Sequence, residues 1–377
     1  MPETERQVAL ERPARVPATP APIAARPARR LRPQVAVVRA AAAIGGVLLF
    51  ILALQTIRAG ASELVPILDN LRVSGPVNTV GFGWLFAYVV LSGSPVAAIG
   101  VSLLAGGVMS DIEAFGIIGG SRLGASFIVL AVGFFAFIRG RRNADGLSIG
   151  VIALLTTFTT QGPAILLGLA LLRNGWIERI QFDTPAGLLD VIDAVYGPPV
   201  DAIESLLPGA LVFVAGVLIL LGSFWVFDRA LPQLESEAEG IQRTLHFLHR
   251  RPLMFLMGSL VTLTTMSVAI SITVLVPLAL KGYIRRDHII PYVMGANITT
   301  FVDTLFAAVL LGGAAAFTVV LTEMISVAVI SIIILLFFYG PYSRGILRLS
   351  GWATSSPRRM AIFLAAIVAI PAVLLLV

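Results

Sequence analysis

Short hydroxyl side chains gather at two places in this sequence, each beside residues that break helices. The first place is Ser92, Gly93, Ser94 and Pro95; the second is Thr264, Thr265 and Ser267, followed by Ser271, Thr273 and Pro277. Hydroxyls and freed backbone groups can coordinate a hard cation or donate to an oxyanion. Arg122, Asn297, Asp303 and Glu323 place a charge or an amide inside apolar runs. A guanidinium suits an oxyanion; the competing reading is that Arg122 reaches the surface or pairs with Glu113. A carboxylate in an apolar run is costly and therefore a functional candidate by default. Asp303 could be a cation ligand, a proton carrier or the partner of Arg122, and Glu323 is expected nearer the outer interface. Thr156, Thr157, Thr159, Thr160 and Gln161, just ahead of Gly162 and Pro163, form another polar patch. They could line a pathway or supply an amide, or they could cap backbone groups freed by Pro163.

The elements that carry these residues are membrane segments. Apolar residues make up 57% of the 377 and charged residues only 13%, about half the charge of a soluble domain. Cysteine is absent, which excludes disulfides and thiolate metal sites. The three histidines lie among charges at segment ends, which speaks against a buried histidine metal site. No Walker loop or nucleophile elbow is present, so the chain is read as a non-enzyme with no cofactor. The basic residues flank apolar segments, as in membrane proteins, and give no nucleic-acid signal.

Residues 1–36 are rich in Pro, Ala and Arg and read as a disordered cytoplasmic tail. Apolar segments come after it near 37–57, 80–105, 112–138, 147–172, 208–228, 253–280, 289–313, 315–340 and 360–377. Most reach the roughly 20 residues that a spanning helix needs. Two topologies compete. If every segment spans, Arg139, Arg141 and Arg142 fall outside, against the positive-inside tendency. If 80–105 and 253–280 are re-entrant hairpins, those arginines fall inside. So do Arg243, Arg250, Arg251, Lys281, Arg285, Arg286, Arg344, Arg348, Arg358 and Arg359, while the acidic 173–207 loop falls outside. Arg58 and Arg72 are the exceptions.

The two interrupted segments align at a constant offset. The interval from Ser92 to Ser267 is the same as that from Gly107 to Gly282 and from Gly120 to Gly295. Arg122 falls opposite Asn297 at that interval. With three true spans per copy, the second copy must be inverted. Asp111 and Glu113 at the first hairpin exit face Lys281, Arg285 and Arg286 at the second. Paired broken segments in an inverted repeat point to a transporter whose site lies where they meet.

At these residues the chain resembles the sodium/phosphate cotransporter family, type II-like group. That family has two inverted repeats, each with a Gln-Ser-Ser-Ser hairpin motif, a later connecting Gly, and a Gly-Ala-Asn-Ile-Gly-Thr-Thr stretch. The second copy here reads Gly295, Ala296, Asn297, Ile298, Thr299, Thr300; the first reads Gly120, Ser121, Arg122, Leu123, Gly124, Ala125, Ser126. The hairpin motif falls on Leu91, Ser92, Gly93, Ser94 and on Met266, Ser267, Val268, Ala269, with Gly107 and Gly282 as the connecting glycines. The resemblance covers residues 37–340. It implies sodium-coupled symport of inorganic phosphate, with the hairpin motifs holding substrate and ion. Both glutamines are replaced, by Leu91 and Met266, which opens the alternatives of another anion or of proton coupling.

The expectation is thus an all-α integral membrane fold of two inverted-topology repeats, each helix, re-entrant hairpin, helix, helix. The repeats cover 37–172, with hairpin 80–105, and 208–340, with hairpin 253–280. An extracytoplasmic loop at 173–207 joins them, and a linker with a C-terminal transmembrane helix occupies 341–377. Substrate contacts are expected from Ser92, Ser94, Arg122, Thr264, Thr265, Ser267, Asn297, Thr299 and Thr300. Coupling-ion contacts are expected from Asp303, Asn297, Ser92 and Ser267, with sodium the only metal. The expected setting is the inner (plasma) membrane, multi-pass, N-terminus inside, as a monomer or homodimer. The reading from another class is a non-transporting membrane scaffold or regulatory protein that works through its basic tail and the 229–251 loop.

Overall fold

The structure, a computed structural model, describes residues 33–377 except 71–72, 139–143, 178–179, 181, 183, 231–249, 269, 273–274, 276–278, 280–283 and 312. Helices account for nearly all of it, and no strand occurs among the described residues. Contacts divide the chain after Val38. Of the first unit, only the opening turns of a helix from Pro33 are described. Most of the expected disordered tail lies outside the described residues, and its last four residues are helical rather than tail.

Helix α1 spans Pro33–Gly60, continued by a single 3-10 turn at Ala61–Leu64 and the short α2, Val65–Asn70. Two short helices come next, α3 at Pro76–Val90 and α4 at Gly93–Ala105, then the long α5, Asp111–Ile138, and α6, Ala144–Arg173. Ser110 and Glu113 start α5 as a reciprocal cap. The Ser110 N–H and hydroxyl donate to Glu113 Oε2, at 2.9 and 2.7 Å, and the Glu113 N–H faces Ser110 Oγ at 3.4 Å. Glu113 Oε1 accepts from the Gly75 N–H at 3.1 Å, tying this cap to the start of α3. Glu113 therefore does not pair with Arg122.

The remaining helices are α7 (Ala186–Leu206), α8 (Gly209–Ala230), α9 (Arg251–Thr265), α10 (Arg286–Thr299), α11 (Phe301–Leu310), α12 (Ala314–Ile333), α13 (Tyr339–Thr354) and α14 (Pro357–Leu376). A π-helical turn, Ile334–Phe338, fuses α12 to α13. The result is one helical run of 41 residues, Ala314–Thr354. The segment read as a linker after 340 is therefore helix, with Tyr339, Ser343, Ile346, Ser350 and Ala353 forming its buried stripe. The expected 173–207 loop likewise contains α7, whose Ile192 and Val200 are buried.

Six helices among the described residues are long and apolar enough to cross a membrane, so the chain is a helical membrane protein. Their burial is unequal. The windows in Leu147–Arg173 and Arg286–Leu310 are each 72% buried, against 17%, 22% and 17% for those in α1, α8 and α14. Helix α6 is thus central, packing on α5, α10, α12 and α13. The outer helices present their apolar sides outward, as lipid requires.

Close helix crossings explain the glycines. A Cβ on Gly120 of α5 would collide with the Val80 carbonyl oxygen of α3, and a Cβ on Gly295 of α10 would collide with the Phe255 carbonyl oxygen of α9. Val80 and Phe255 are themselves separated by the same interval as Gly120 and Gly295. The reciprocal contacts repeat as well: Gly83 lies against the Ile117 carbonyl, and Gly258 against the Tyr292 carbonyl. Small residues let helix backbones approach this closely in a membrane. The α3–α5 and α9–α10 pairs thus use one packing scheme at one offset. Gly282, the expected partner of Gly107, lies outside the described residues, as does part of the arm after Ser267.

Candidate functional site

Helices α3 and α9 end alike. Leu91 caps α3 with φ 54° and Met266 caps α9 with φ 50°. They are the only non-glycine residues with positive φ among the described residues. A left-handed L-residue costs roughly 1–2 kcal/mol, so each turn is held by its surroundings. After Leu91 the chain enters α4 through Ser92, whose side chain makes no capping bond. After Met266 it resumes helix at Val268. The first tip thus leaves its first-turn N–H groups without a side-chain cap, whereas at the second the Ser267 hydroxyl accepts from the Ile270 N–H at 3.3 Å.

The two turns line one cleft of about 320 Å³, room for roughly ten waters or a partly hydrated small anion. Its walls include Ser92, Ser94, Arg122, Ser267, Asn297 and Thr300, with Leu221, Phe224 and Trp225 of α8 on one side. Six of the nine expected substrate residues therefore share one cavity. The other three do not reach it. Thr264 is exposed and bonds back to the Leu260 and Val261 carbonyls. Thr265 donates to the Val261 carbonyl at 2.8 Å. Thr299 donates to the Ser259 carbonyl at 3.0 Å and so holds α10 against α9. In each case the backbone carbonyls of a broken helix claimed the hydroxyl.

Arg122 projects from α5 and is 6% exposed, so it does not snorkel. Its guanidinium donates to Ser94 Oγ at 3.3 Å, Thr300 Oγ1 at 3.2 Å, Asp303 Oδ1 at 3.4 Å and Thr304 Oγ1 at 2.6 Å. It also lies 4.6 Å from the centroid of the Phe301 ring. Thr304 passes the contact on, donating to Asp303 Oδ1 at 2.8 Å. Of the roles open to Asp303, ion-pair partner is the one this conformation shows. Asp303 also borders a smaller apolar pocket of about 80 Å³ lined by Val47, Phe50, Phe224, Phe227, Met266 and Phe306. Met266 and Phe224 border both spaces.

Such a buried pair needs its remaining polar atoms satisfied to be stabilising. Arg122 Nε and Asp303 Oδ2 carry no hydrogen bond, so the pair is held but not saturated. An anion at Arg122 or a cation at Asp303 would complete it.

The threonines of α6 bond within their own helix, but not to the Thr159 carbonyl that Pro163 frees. Thr156, Thr157, Thr159 and Thr160 all donate to carbonyls one turn back on their own helix. Three links run outward, one of them a hydrogen bond between the hydroxyls of Thr159 and Tyr342 at 2.6 Å. Asn297 Nδ2 donates to Thr157 Oγ1 at 3.0 Å, and Gln161 donates to Glu323 Oε1. Glu323 is fully buried. The wall residues of α8 and the role of Thr304 were not anticipated. Leu221, Phe224 and Trp225 are apolar residues in an apolar span and give no signal, whereas Thr304 could have been noticed beside Asp303.

Among the described residues no group of three or more His, Asp or Glu side chains could hold a metal ion. No family model, no curated protein and no solved structure matches the chain.

Proposed function

We propose that the chain is a secondary active transporter that carries a small oxyanion, inorganic phosphate first, coupled to a cation, either sodium or the proton. The observation that carries this reading is the shared cleft. Two left-handed hairpin turns, at Leu91 and Met266, converge on it, and so do Arg122 and Asn297 at the same offset. Broken helices that meet in a cavity offer free backbone donors to an anion and hydroxyls to a cation.

In this reading the two packing units are inverted repeats, α3–α4 and the segment from α9 are re-entrant hairpins, and the N-terminus is cytoplasmic. The anion contacts Ser92, Ser94, Ser267, Asn297 and Thr300 and competes with Asp303 for Arg122. Where the cation is sodium, Asp303, released from the guanidinium, joins Asn297, Ser92 and Ser267 as its ligand. Alternating access is the exposure of the cleft to one side and then the other. Purified protein in liposomes should take up labelled phosphate under an inward sodium or proton gradient and not without one. A monodisperse protein that takes up no phosphate would sink the reading and leave the non-transporting scaffold in its place.

A second reading replaces phosphate by another anion. It is favoured by Leu91 and Met266, which put apolar side chains at the tips where the resemblance places amides. A thermal-shift panel of phosphate, sulfate and organic anions separates the two.

A further inference from the structure

Three charged side chains lie buried together in the interior, and their charges do not balance. Arg122 on α5 contacts Asp303 on α11, and Glu323 of α12 lies against Gly119, one turn before Arg122 on the same helix. One cation thus faces two carboxylates. In low dielectric an uncompensated carboxylate costs far more than a neutral one, so the cluster calls for one more positive charge.

The surroundings of Glu323 suit a proton better than a metal ion. Glu323 is fully buried and Gln161, its one hydrogen-bond partner, is 1% exposed. The amide nitrogen of Gln161 engages Oε1, and Oε2 carries no hydrogen bond. Gly119 leaves the space, since a Cβ there would stand 2.9 Å from Oε1 and a similar distance from Ile165. A sodium or other hard cation needs several oxygen ligands; an amide nitrogen, a glycine and an isoleucine supply none.

The neighbouring elements narrow the groups that can act on it. Helix α4 carries no charge, and α6 carries its charges at its ends, Asp145 and Arg173, with Gln161 between them. Helix α5 meets Glu323 at Gly119, with Arg122 one turn on and Asp111 and Glu113 in its first turn. Asp303 of α11 is held to Arg122, and Arg286, Asp287 and His288 lie in the first turn of α10.

We propose that Glu323 is the proton-coupling site of the transporter, so that the coupling ion is a proton carried on its carboxyl. This deepens the transport reading and rests on it, choosing the proton of its two coupling ions. An anion at Arg122 adds negative charge to the cluster, so anion and proton favour each other's binding, and that linkage is reciprocal. The proton joins Glu323 from the side that loads the anion and leaves to the side that releases it.

The test uses the full chain in liposomes, with labelled phosphate as the probe and two transport modes. One is accumulation driven by an acid-outside pH gradient; the other is phosphate exchange at equal pH and equal concentration. Glu323→Gln keeps the shape and the bond to Gln161. It should lose accumulation by roughly tenfold or more while exchange persists, and Glu323→Asp should recover accumulation. Infrared spectroscopy of the same proteins provides a readout independent of transport: a carboxylic-acid carbonyl band present in the wild type at neutral pH and absent from Glu323→Gln. Accumulation unchanged in Glu323→Gln, driven equally by sodium alone, or lost together with exchange in both variants overturns the proposal. So does an infrared difference that is missing. If the wild type exchanges no phosphate while the band is present, the transport reading fails and the protonation of Glu323 stands.

Discussion

Leu91 and Met266 adopt the same left-handed backbone at equivalent positions of the two packing units, and both side chains stand at the rim of one cleft. The conformation is tolerated by an unbranched Cβ and resisted by a branched one. Leu91→Val or Met266→Val should therefore destabilise the protein by about 1–2 kcal/mol. The glycine variants should stay near neutral, because relief of strain is offset by greater freedom of the unfolded chain. Thermal denaturation of the purified variants in one detergent checks this; equal losses for valine and glycine would remove the strain argument.

The close crossings at Gly120 and Gly295 give a matched pair. Alanine at either position places a methyl group against a backbone carbonyl that cannot swing aside. Each substitution should cost about 1–3 kcal/mol, with similar values for the two. Gly162→Ala serves as the internal control, since nothing lies within 4 Å of its added Cβ. It should be neutral or stabilising by about 0.5–1 kcal/mol, the helix-propensity difference.

Arg122→Met or Asp303→Leu alone leaves an unpaired buried charge, at a cost of about 3–5 kcal/mol. The double variant removes both charges and should recover much of that loss. The cycle is therefore strongly non-additive, and thermal unfolding of the four proteins measures it. Additive losses would mean that the two side chains do not depend on each other.

Glu113 joins the start of α5 to the start of α3 through Ser110 and Gly75. Glu113→Ala removes a capping acceptor and should cost about 1 kcal/mol. Hydrogen exchange at the Ser110 and Gly75 amides should speed up locally, while the α9–α10 crossing stays protected. Unchanged exchange at Gly75 would show that this tie is not formed.

The sequence made the spacing of the two broken segments visible because glycine, serine and proline occupy positions where the backbone must turn or approach closely. The offset from Ser92 to Ser267 also holds for Val80 and Phe255, which carry no signal of their own. The fate of individual hydroxyls was hidden. Thr264, Thr265 and Thr299 read as ligands, but each found a backbone carbonyl, on its own helix for the first two and on α9 for Thr299, a choice set by side-chain direction. The pairing of Arg122 with Asp303 spans 181 residues and depends on how α5 meets α11, which local pattern cannot supply. Helix α7 could have been read from its apolar spacing at Leu189, Ile192, Tyr196 and Val200. Its acidic residues suggested a loop instead.

The π turn at Ile334–Phe338 sets the rotational phase of α13. Such a turn takes up one extra residue, so the helix beyond it keeps its setting only because that residue is absorbed locally. Deleting one residue within 334–338 should restore regular helix and leave the stripe of Tyr339, Ser343, Ile346, Ser350 and Ala353 facing inward. The same deletion a turn or two later would rotate the rest of that stripe by about 100° toward lipid. This stretch is thus the place where the chain can gain or lose a residue without losing its alignment to the interior.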